Sequence, residues 1–362
     1  MLSDTSDQNS PKFLTGAQAW RPEVIGTNLR WQYHFTEYDI AELDWATQQW
    51  ERAVASNSIT LMDSYLVGGC LDQKFQRIAS ELEQGCGFVR IRGLPIERWS
   101  RTTLEQIWQA LSRMIGQPVY QNHHGQLLRE IRAESGDVGN RYGQLPAGES
   151  TFLSSRARTA SNAALRFHTD RCDIVGLLCI GQAKSGGLSL LASSVTVHNE
   201  MLRRFPDLCA ELYQDLPRSR IGEEQGGESD WYYLPVWGIR DNQFTSHYSR
   251  TYVEALQHVP NAPQISDEQW QAMDKLAELA AEKSLQMHLQ PGDIQFINNH
   301  VIYHARSEFE DDTVNDQVRC LLRVWLTAPH RALPASHKIL WREVESGLPR
   351  GGIGQSVVNE PV

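Results

Sequence analysis

From residue 173 onward the chain is written largely in short apolar runs: DIVGLLCI, LSLLASSVTV, QFTSHYSRTYV, LQMHLQPGDIQFINNHVIYHA and RCLLRVWLTA. These runs are rich in β-branched and aromatic residues, and Gly, Pro and Asn punctuate them, which is the signature of strands. Only two stretches between them, HNEMLRRFPDLCAELY and SDEQWQAMDKLAELAAEK, carry apolar residues at helical spacing. Many short strands with few helices between them restrict this half to an antiparallel sandwich or barrel.

The first third is mixed. EYDIAELDWATQQWERAVA, LDQKFQRIASELEQ and TTLEQIWQALSRM read as amphipathic helices, the second stopped by Gly and the third by Gly-Gln-Pro. GFVRIRGL between them reads as a strand, with Phe88, Arg90 and Arg92 on one face and Val89 and Ile91 on the other. The stretch from Gly139 to Ala160 is loop-like, and a long irregular segment inside a compact domain is often a functional lid. No internal repeat or low-complexity linker divides the chain, so the expectation is one domain over residues 16–346. Residues 1–15 are expected to be disordered and 347–362 to form a flexible tail.

Composition narrows the function. A net charge of −10 without a basic stripe disfavours nucleic acid as a partner. The polar N-terminus does not read as a signal peptide, and no apolar run approaches a membrane span. Six scattered cysteines with no CxxC pair argue against a structural zinc site and a disulfide framework, and suit a reducing cytoplasm. The expectation is a soluble cytoplasmic protein that handles a small molecule, with a homo-oligomer left open.

Four words carry chemistry. RFHTDRCD places His168 and Asp170 two residues apart, so along a strand an imidazole and a carboxylate share one side. Alone this is weak, because HxD is common. QPGDIQFINNHVIYHAR offers His304 as a third ligand, and two His with one carboxylate make a facial set that leaves sites open on iron(II). His300 shares the strand face of His304, so periodicity does not choose between them. RCLLRVWL puts Arg319 and Arg323 on one side of an otherwise apolar strand, where a buried guanidinium needs an anion, either a ligand carboxylate or a structural Asp or Glu. KSGGLSLL makes a tight turn into a strand and presents the Ser189 hydroxyl.

The order HTD, SGGLS, QPGDIQFINN with HAR, then RCLLRVWL resembles the TauD/TfdA family of iron(II)- and 2-oxoglutarate-dependent dioxygenases over roughly Gly85 to Ala328. The resemblance implies a mainly β chain with a double-stranded β-helix (jelly-roll) core flanked by helices. It implies His168, Asp170 and His304 as iron ligands and so selects His304 over His300. It implies Arg319 and Ser189 on the distal carboxylate of 2-oxoglutarate, and Arg323 on an anionic group of the substrate or cosubstrate. The segment SEFEDDTVNDQV lengthens the gap from His304 to Arg319 beyond the shortest members and reads as an extended hairpin.

The implied reaction consumes 2-oxoglutarate and dioxygen, releases succinate and carbon dioxide, and hydroxylates a C–H bond of a carboxylate-bearing or amino-acid-like molecule. Related halogenases lack the carboxylate that Asp170 supplies, which favours hydroxylation over halogenation. Desaturation or cyclisation in natural-product biosynthesis is the alternative outcome. A zinc hydrolase or a non-catalytic metal-binding barrel is the remote one. Secondary candidates are His123 and His124, Arg156 and Arg158 of the lid, an aromatic wall of Trp231, Tyr232 and Tyr233, and Tyr248 with Arg250 on one strand face. Asn298 and Asn299 are expected to satisfy backbone groups near the metal strand.

Overall fold

The computed structural model describes residues 11–353 apart from 28, 59, 148–149, 221–228, 329–331 and 342–349, and no side chains at 144–153, 155 and 339–341. The described residues form a mixed α/β fold with two main sheets. The larger sheet runs in the order Gln32–His34, Phe88–Arg92, Ile294–Asn298, Ile174–Gly181, Cys320–Thr327, and then Gln117–Val119. Leu128–Ile131 pairs along the same edge of Cys320–Thr327. The smaller sheet runs Ser284–Met287, Ser189–Ser193, Ile302–Arg306, Leu165–His168. Every pairing in both sheets is antiparallel except the first of the larger one.

Alternation along the strands decides what each face meets. In Cys320–Thr327, Leu322, Val324 and Leu326 join a core with the helices Glu37–Ala55, Cys70–Gln84 and Arg101–Arg113. Leu321, Arg323 and Trp325 turn to the opposite face, toward the smaller sheet and the site. The helices form where sequence periodicity places them. Thr36 opens the first with a full capping box, and Ser100 caps the third. The fully buried Trp108 lies on Phe296, with ring centroids 5.4 Å apart. Gly176 makes this approach possible, since a Cβ there would stand 2.8 Å from Phe296 and 3.0 Å from Trp108.

Several expectations are corrected. SVTV is not the end of a strand: Ser193 accepts from the Thr196 N–H and starts the helix Ser194–Arg204, so capping overrides β-propensity. The predicted helix beyond it is broken at Pro206, which begins a second helix, Pro206–Glu211. SRTYV is the first turns of the helix Arg250–Gln257, which buries Thr251, Val253, Ala255 and Leu256. Tyr248 and Arg250 therefore share no strand face. The loop-like lid carries a helix, Val138–Tyr142, a hairpin of Gln144–Ala147 with Ser150–Leu153, and a helix, Ser155–Thr159. SEFEDDTVNDQV does form a hairpin, closed by a bridge between Asp312 and Gln317. The described parts of the expected tails are packed: the Leu14 N–H donates to Asn199, and Gly352 donates to the Arg171 carbonyl.

His300 is fixed by the fold. It is 1% exposed, and its Nε2 stands 2.7 Å from Asp173 Oδ1. Arg350 donates Nε and Nη2 to the same carboxylate, and the Thr327 hydroxyl and the Ala328 N–H complete its shell. Burial alone would raise the Asp173 pKa, but His300 and Arg350 hold it at about 2. A carboxyl depressed in the folded state stabilises the fold above its unfolded pKa of about 4, and that contribution is lost as pH falls toward 2. Asp173→Ala, which strands two buried partners, is expected to cost about 3–5 kcal/mol in urea unfolding at neutral pH. Its stability should also fall less steeply between pH 4 and 2 than the wild type's.

Candidate metal centre and its pocket

His168 ends its strand directly opposite His304. Opposed residues project to the same face, so the two imidazoles meet, with ring centroids 4.3 Å apart. Asp170 follows just past the strand end. Its N–H donates to Asn299 Oδ1 at 3.3 Å, and Asn299 Nδ2 donates to the Cys172 carbonyl at 2.8 Å. Asn298 likewise donates to the Leu82 carbonyl and accepts from the His300 N–H. Both asparagines thus satisfy backbone groups, as expected from sequence. Asp170 Oδ1 is 3.7 Å from His168 Nε2, and Oδ2 is 3.9 Å from His304 Nε2. One ligand atom from each residue lies within 4.8 Å of the other two, close enough to share an ion.

The protonation states suit a divalent cation. His168 Nδ1 lies 2.9 Å from the Arg166 carbonyl, which can only accept, so Nδ1 carries a proton and Nε2 is the nitrogen turned toward Asp170. Burial, and then the neighbouring His168, push the His304 pKa down to about 3, leaving a neutral imidazole. Burial pushes the Asp170 carboxyl up, but the Arg323 charge and the Trp325 indole oppose it and the carboxyl is held below the usual range. The indole donates to Oδ2 at 2.9 Å, and Arg323 Nη1 lies 3.3 Å from the same oxygen. Two imidazoles and one carboxylate form a hard-to-borderline N/O donor set.

Behind this cluster is an inner cavity bordered by Ser189, Gln295, Arg306 and Arg319. Arg319 is 7% exposed and Arg306 5%. Arg306 Nη2 donates to the Ser161 and Ala163 carbonyls, but its Nε and Nη1 have no partner among the described residues. Arg319 Nε reaches the Gly187 carbonyl at 3.4 Å, and its Nη1 has no partner. A Cβ on Gly187 would stand 2.8 Å from Arg319 Cδ, so the SGG turn makes room for this side chain. Burial lowers the Arg319 pKa to about 10; burial and then Arg319 lower that of Arg306 to about 9. Two desolvated guanidiniums with unused donors and no ion pair among the described residues suit a bound carboxylate. The Ser189 hydroxyl, which donates to Gln295 at 2.9 Å, stands on the same wall.

An outer pocket opens from the other side of His168 and Asp170. Seven arginines border it, against one carboxylate, Asp170. Arg166 pairs with Glu254, Arg250 with Glu254 and Asp274, and Arg171 stacks on Tyr232 and Tyr252. Arg323 faces this pocket and also donates Nε to Gln121 at 2.7 Å. Of the secondary candidates, His123, Arg156, Arg158 and Arg250 border it. His124 is exposed, Tyr248 is buried in the core, and none of Trp231, Tyr232 and Tyr233 borders it.

The six sequence-selected residues His168, Asp170, Ser189, His304, Arg319 and Arg323 all border the inner cavity. Sequence reasoning missed Arg306, Gln295 and Arg129. Arg306 stands in the HAR word beside His304, and Gln295 alternates with Ile294 and Phe296 on a strand whose other face is core; both signals were readable. Arg129 had no local signal.

A family model described as taurine catabolism dioxygenase TauD, TfdA family matches residues 69–325. FR-33289 synthase of Streptomyces rubellomurinus is 27% identical over 334 residues, which is 90% of this chain and 94% of that protein. Among solved structures, asparagine oxygenase in complex with Fe(II), 2S,3S-3-hydroxyasparagine and succinate aligns with a TM-score of 0.58 at 16% identity, over 82% of this chain and 93% of that one. The non-heme iron oxygenase OrfP in complex with Fe and alpha-ketoglutaric acid gives 0.58 at 15% identity, with the same coverage. At such identities these two likenesses establish the fold.

Asn299 orients Asp170 without reaching the cluster. Asn299→Ala is expected to weaken cobalt(II) binding to the metal-free protein about tenfold or more, read by absorbance titration.

Proposed function

Because the chain belongs to the taurine catabolism dioxygenase TauD, TfdA family, we propose that it hydroxylates an aliphatic C–H bond of a small anionic molecule held in the outer pocket. It is a non-haem iron(II)- and 2-oxoglutarate-dependent oxygenase. We read the two sheets, whose residues border one inner cavity, as the halves of a double-stranded β-helix.

In this reading His168, Asp170 and His304 hold the iron, and the observation that carries it is their convergence within 4.8 Å, with the Asp170 carboxyl and the His304 imidazole both held in their deprotonated forms. Bound there, iron(II) supplies the chemistry that couples oxidation of 2-oxoglutarate by dioxygen, to succinate and carbon dioxide, with insertion of one oxygen atom into the C–H bond. The protein's part is placement. Trp325 and Arg323 fix one oxygen of Asp170 and leave the other toward His168. Arg319, with Ser189 beside it, receives the distal carboxylate of 2-oxoglutarate, and Arg306 adds a second buried cation to that end of the cavity. Their unused donors support this assignment, since a carboxylate would satisfy groups that otherwise stay buried without partners.

Arg323 lies on the boundary between the two cavities and is assigned to an anionic group of the substrate. The hydroxyasparagine in the asparagine oxygenase complex supports an amino-acid-like substrate and hydroxylation as the outcome. The protein is placed in the cytoplasm on its six unpaired cysteines. Among the described residues no helix is long and apolar enough to cross a membrane.

The test is 2-oxoglutarate turnover to succinate under oxygen with a panel of small acids and amino acids. Wild-type enzyme is expected to form succinate in step with an oxidised product. Asp170→Ala should lose activity by roughly three orders of magnitude or more, the range found when an essential group is removed. Arg319→Gln should raise the KM for 2-oxoglutarate about 100-fold while iron still binds. Full activity in Asp170→Ala would remove it from the ligand set.

A further inference from the structure

Phe309 is 5% exposed, yet it joins none of the apolar core clusters formed by the described residues. Its ring meets guanidiniums instead. Arg306 Cζ lies 4.8 Å from the ring centroid and Arg319 Cζ 5.4 Å, both within the range of a cation–π contact. Phe309 stands at the start of the hairpin between His304 and Arg319, and Arg319 stands at its close, where its N–H donates to Asp311 Oδ1 at 2.9 Å. The short strand Phe309–Glu310 pairs with Ser185–Gly186, and the Gly187 N–H donates to the Glu308 carbonyl. Gly187 has a φ of +67°, and a Cβ there would stand 2.8 Å from Arg319 Cδ and 3.5 Å from Phe309 Cβ. The SGG turn therefore lets the ring and the guanidinium come together.

We propose that Phe309 is a positioning residue for the cosubstrate, whose ring holds the guanidiniums of Arg306 and Arg319 beside the inner cavity without neutralising them. The inference rests on that cavity being the 2-oxoglutarate site, and it adds a residue that does not itself border the cavity. Two buried cations on one wall repel each other and need restraint. A carboxylate would restrain them, but it would also cancel the charge that an anionic ligand needs. An aromatic face attracts a cation through its quadrupole, carries no net charge, and acts more strongly where water is excluded. The structure follows the second course. Neither guanidinium has an ion pair among the described residues, and the nearby Asp311 accepts from the Arg319 backbone. Arg306 is pinned by Nη2 on the Ser161 and Ala163 carbonyls, and Arg319 by Nε on the Gly187 carbonyl. Arg306 Nε and Nη1 and Arg319 Nη1 are left over for a ligand.

A ring that only fills space can be replaced by another apolar side chain of similar volume. A ring that holds two cations can be replaced only by another aromatic one, and its loss is felt at one end of the ligand. 2-Oxoglutarate has two distinct ends, a 2-oxo acid suited to chelating a metal and a distal carboxylate suited to guanidiniums. Only the second depends on Arg306 and Arg319, so a ligand that lacks it separates positioning from packing.

The test titrates the anaerobic iron(II)-loaded protein with 2-oxoglutarate and with 2-oxopentanoate, which keeps the 2-oxo acid but ends in a methyl group. Binding is read from the visible absorption of the complex. Wild type is expected to prefer 2-oxoglutarate. Phe309→Leu, which keeps apolar bulk and loses the aromatic face, should weaken 2-oxoglutarate about tenfold and leave 2-oxopentanoate unchanged. Phe309→Tyr should keep the wild-type preference. Cobalt(II) affinity of the metal-free protein, followed by absorbance, should be the same in all three. Equal weakening of both keto acids in Phe309→Leu would mark a packing role and overturn the proposal. An unchanged preference in Phe309→Leu, or the same loss in Phe309→Tyr, overturns it too. A wild type that does not favour 2-oxoglutarate would overturn the parent reading and this one with it. A wild-type preference that ignores Phe309 overturns this one alone.

Discussion

The cross-strand pairing of His168 with His304 is the contact on which the site depends. It joins a strand from the middle of the sequence to one near its end, and it sets two imidazoles on one face of the smaller sheet. A slip of one residue in that register would turn one of them to the other face. The register is held from both sides. Ile302–Arg306 is also zipped along Ser189–Ser193, with His304 opposite Leu191, and Tyr303 is locked behind the sheet by Trp237 and Ser246. The metal-facing side of the sheet is therefore positioned by a core on its other side, which costs the site nothing in flexibility.

The second constraint is charge. The interior between the sheets holds three buried arginines, Arg306, Arg319 and Arg323, and of these only Arg323 meets a carboxylate among the described residues. Elsewhere buried carboxylates meet cations: Asp173 has His300 and Arg350, Asp293 has Arg90, and Asp39 has Lys74, while the buried Arg218 meets His247 and carbonyl oxygens instead. The contrast separates two kinds of cation. Those with carboxylates hold the fold together. Arg306 and Arg319 keep buried donors without partners beside the inner cavity, a cost that an anionic ligand there would offset.

Much of this was legible in the sequence, and the failures have identifiable causes. Helix Glu37–Ala55 was bounded correctly because capping and periodicity agree there. SVTV and SRTYV were misread because β-branched residues occupied helix starts, where a cap or a helical burial stripe decides the outcome. The choice between His300 and His304 was beyond periodicity, since it turns on Asp173 and Arg350 closing around one of them. Arg306 and Gln295 were readable from alternation and were overlooked. Arg129 was not readable at all: LREI is a short, polar edge strand, and its meaning appears only when pairing sets it across from Arg323.

That last case shows where function escapes a one-dimensional reading. The words HTD, HAR and RCLLRVWL mark chemistry because local spacing already fixes which side chains share a face. The outer pocket is bordered by residues from an edge strand and a short helix in the segment that looked like loop, whose joint position is set only by tertiary pairing. The reacting centre needs a fixed geometry for one metal, so its residues sit on regular strands. The substrate end varies with the molecule to be bound, and is built on elements that can change without disturbing the register of His168 and His304.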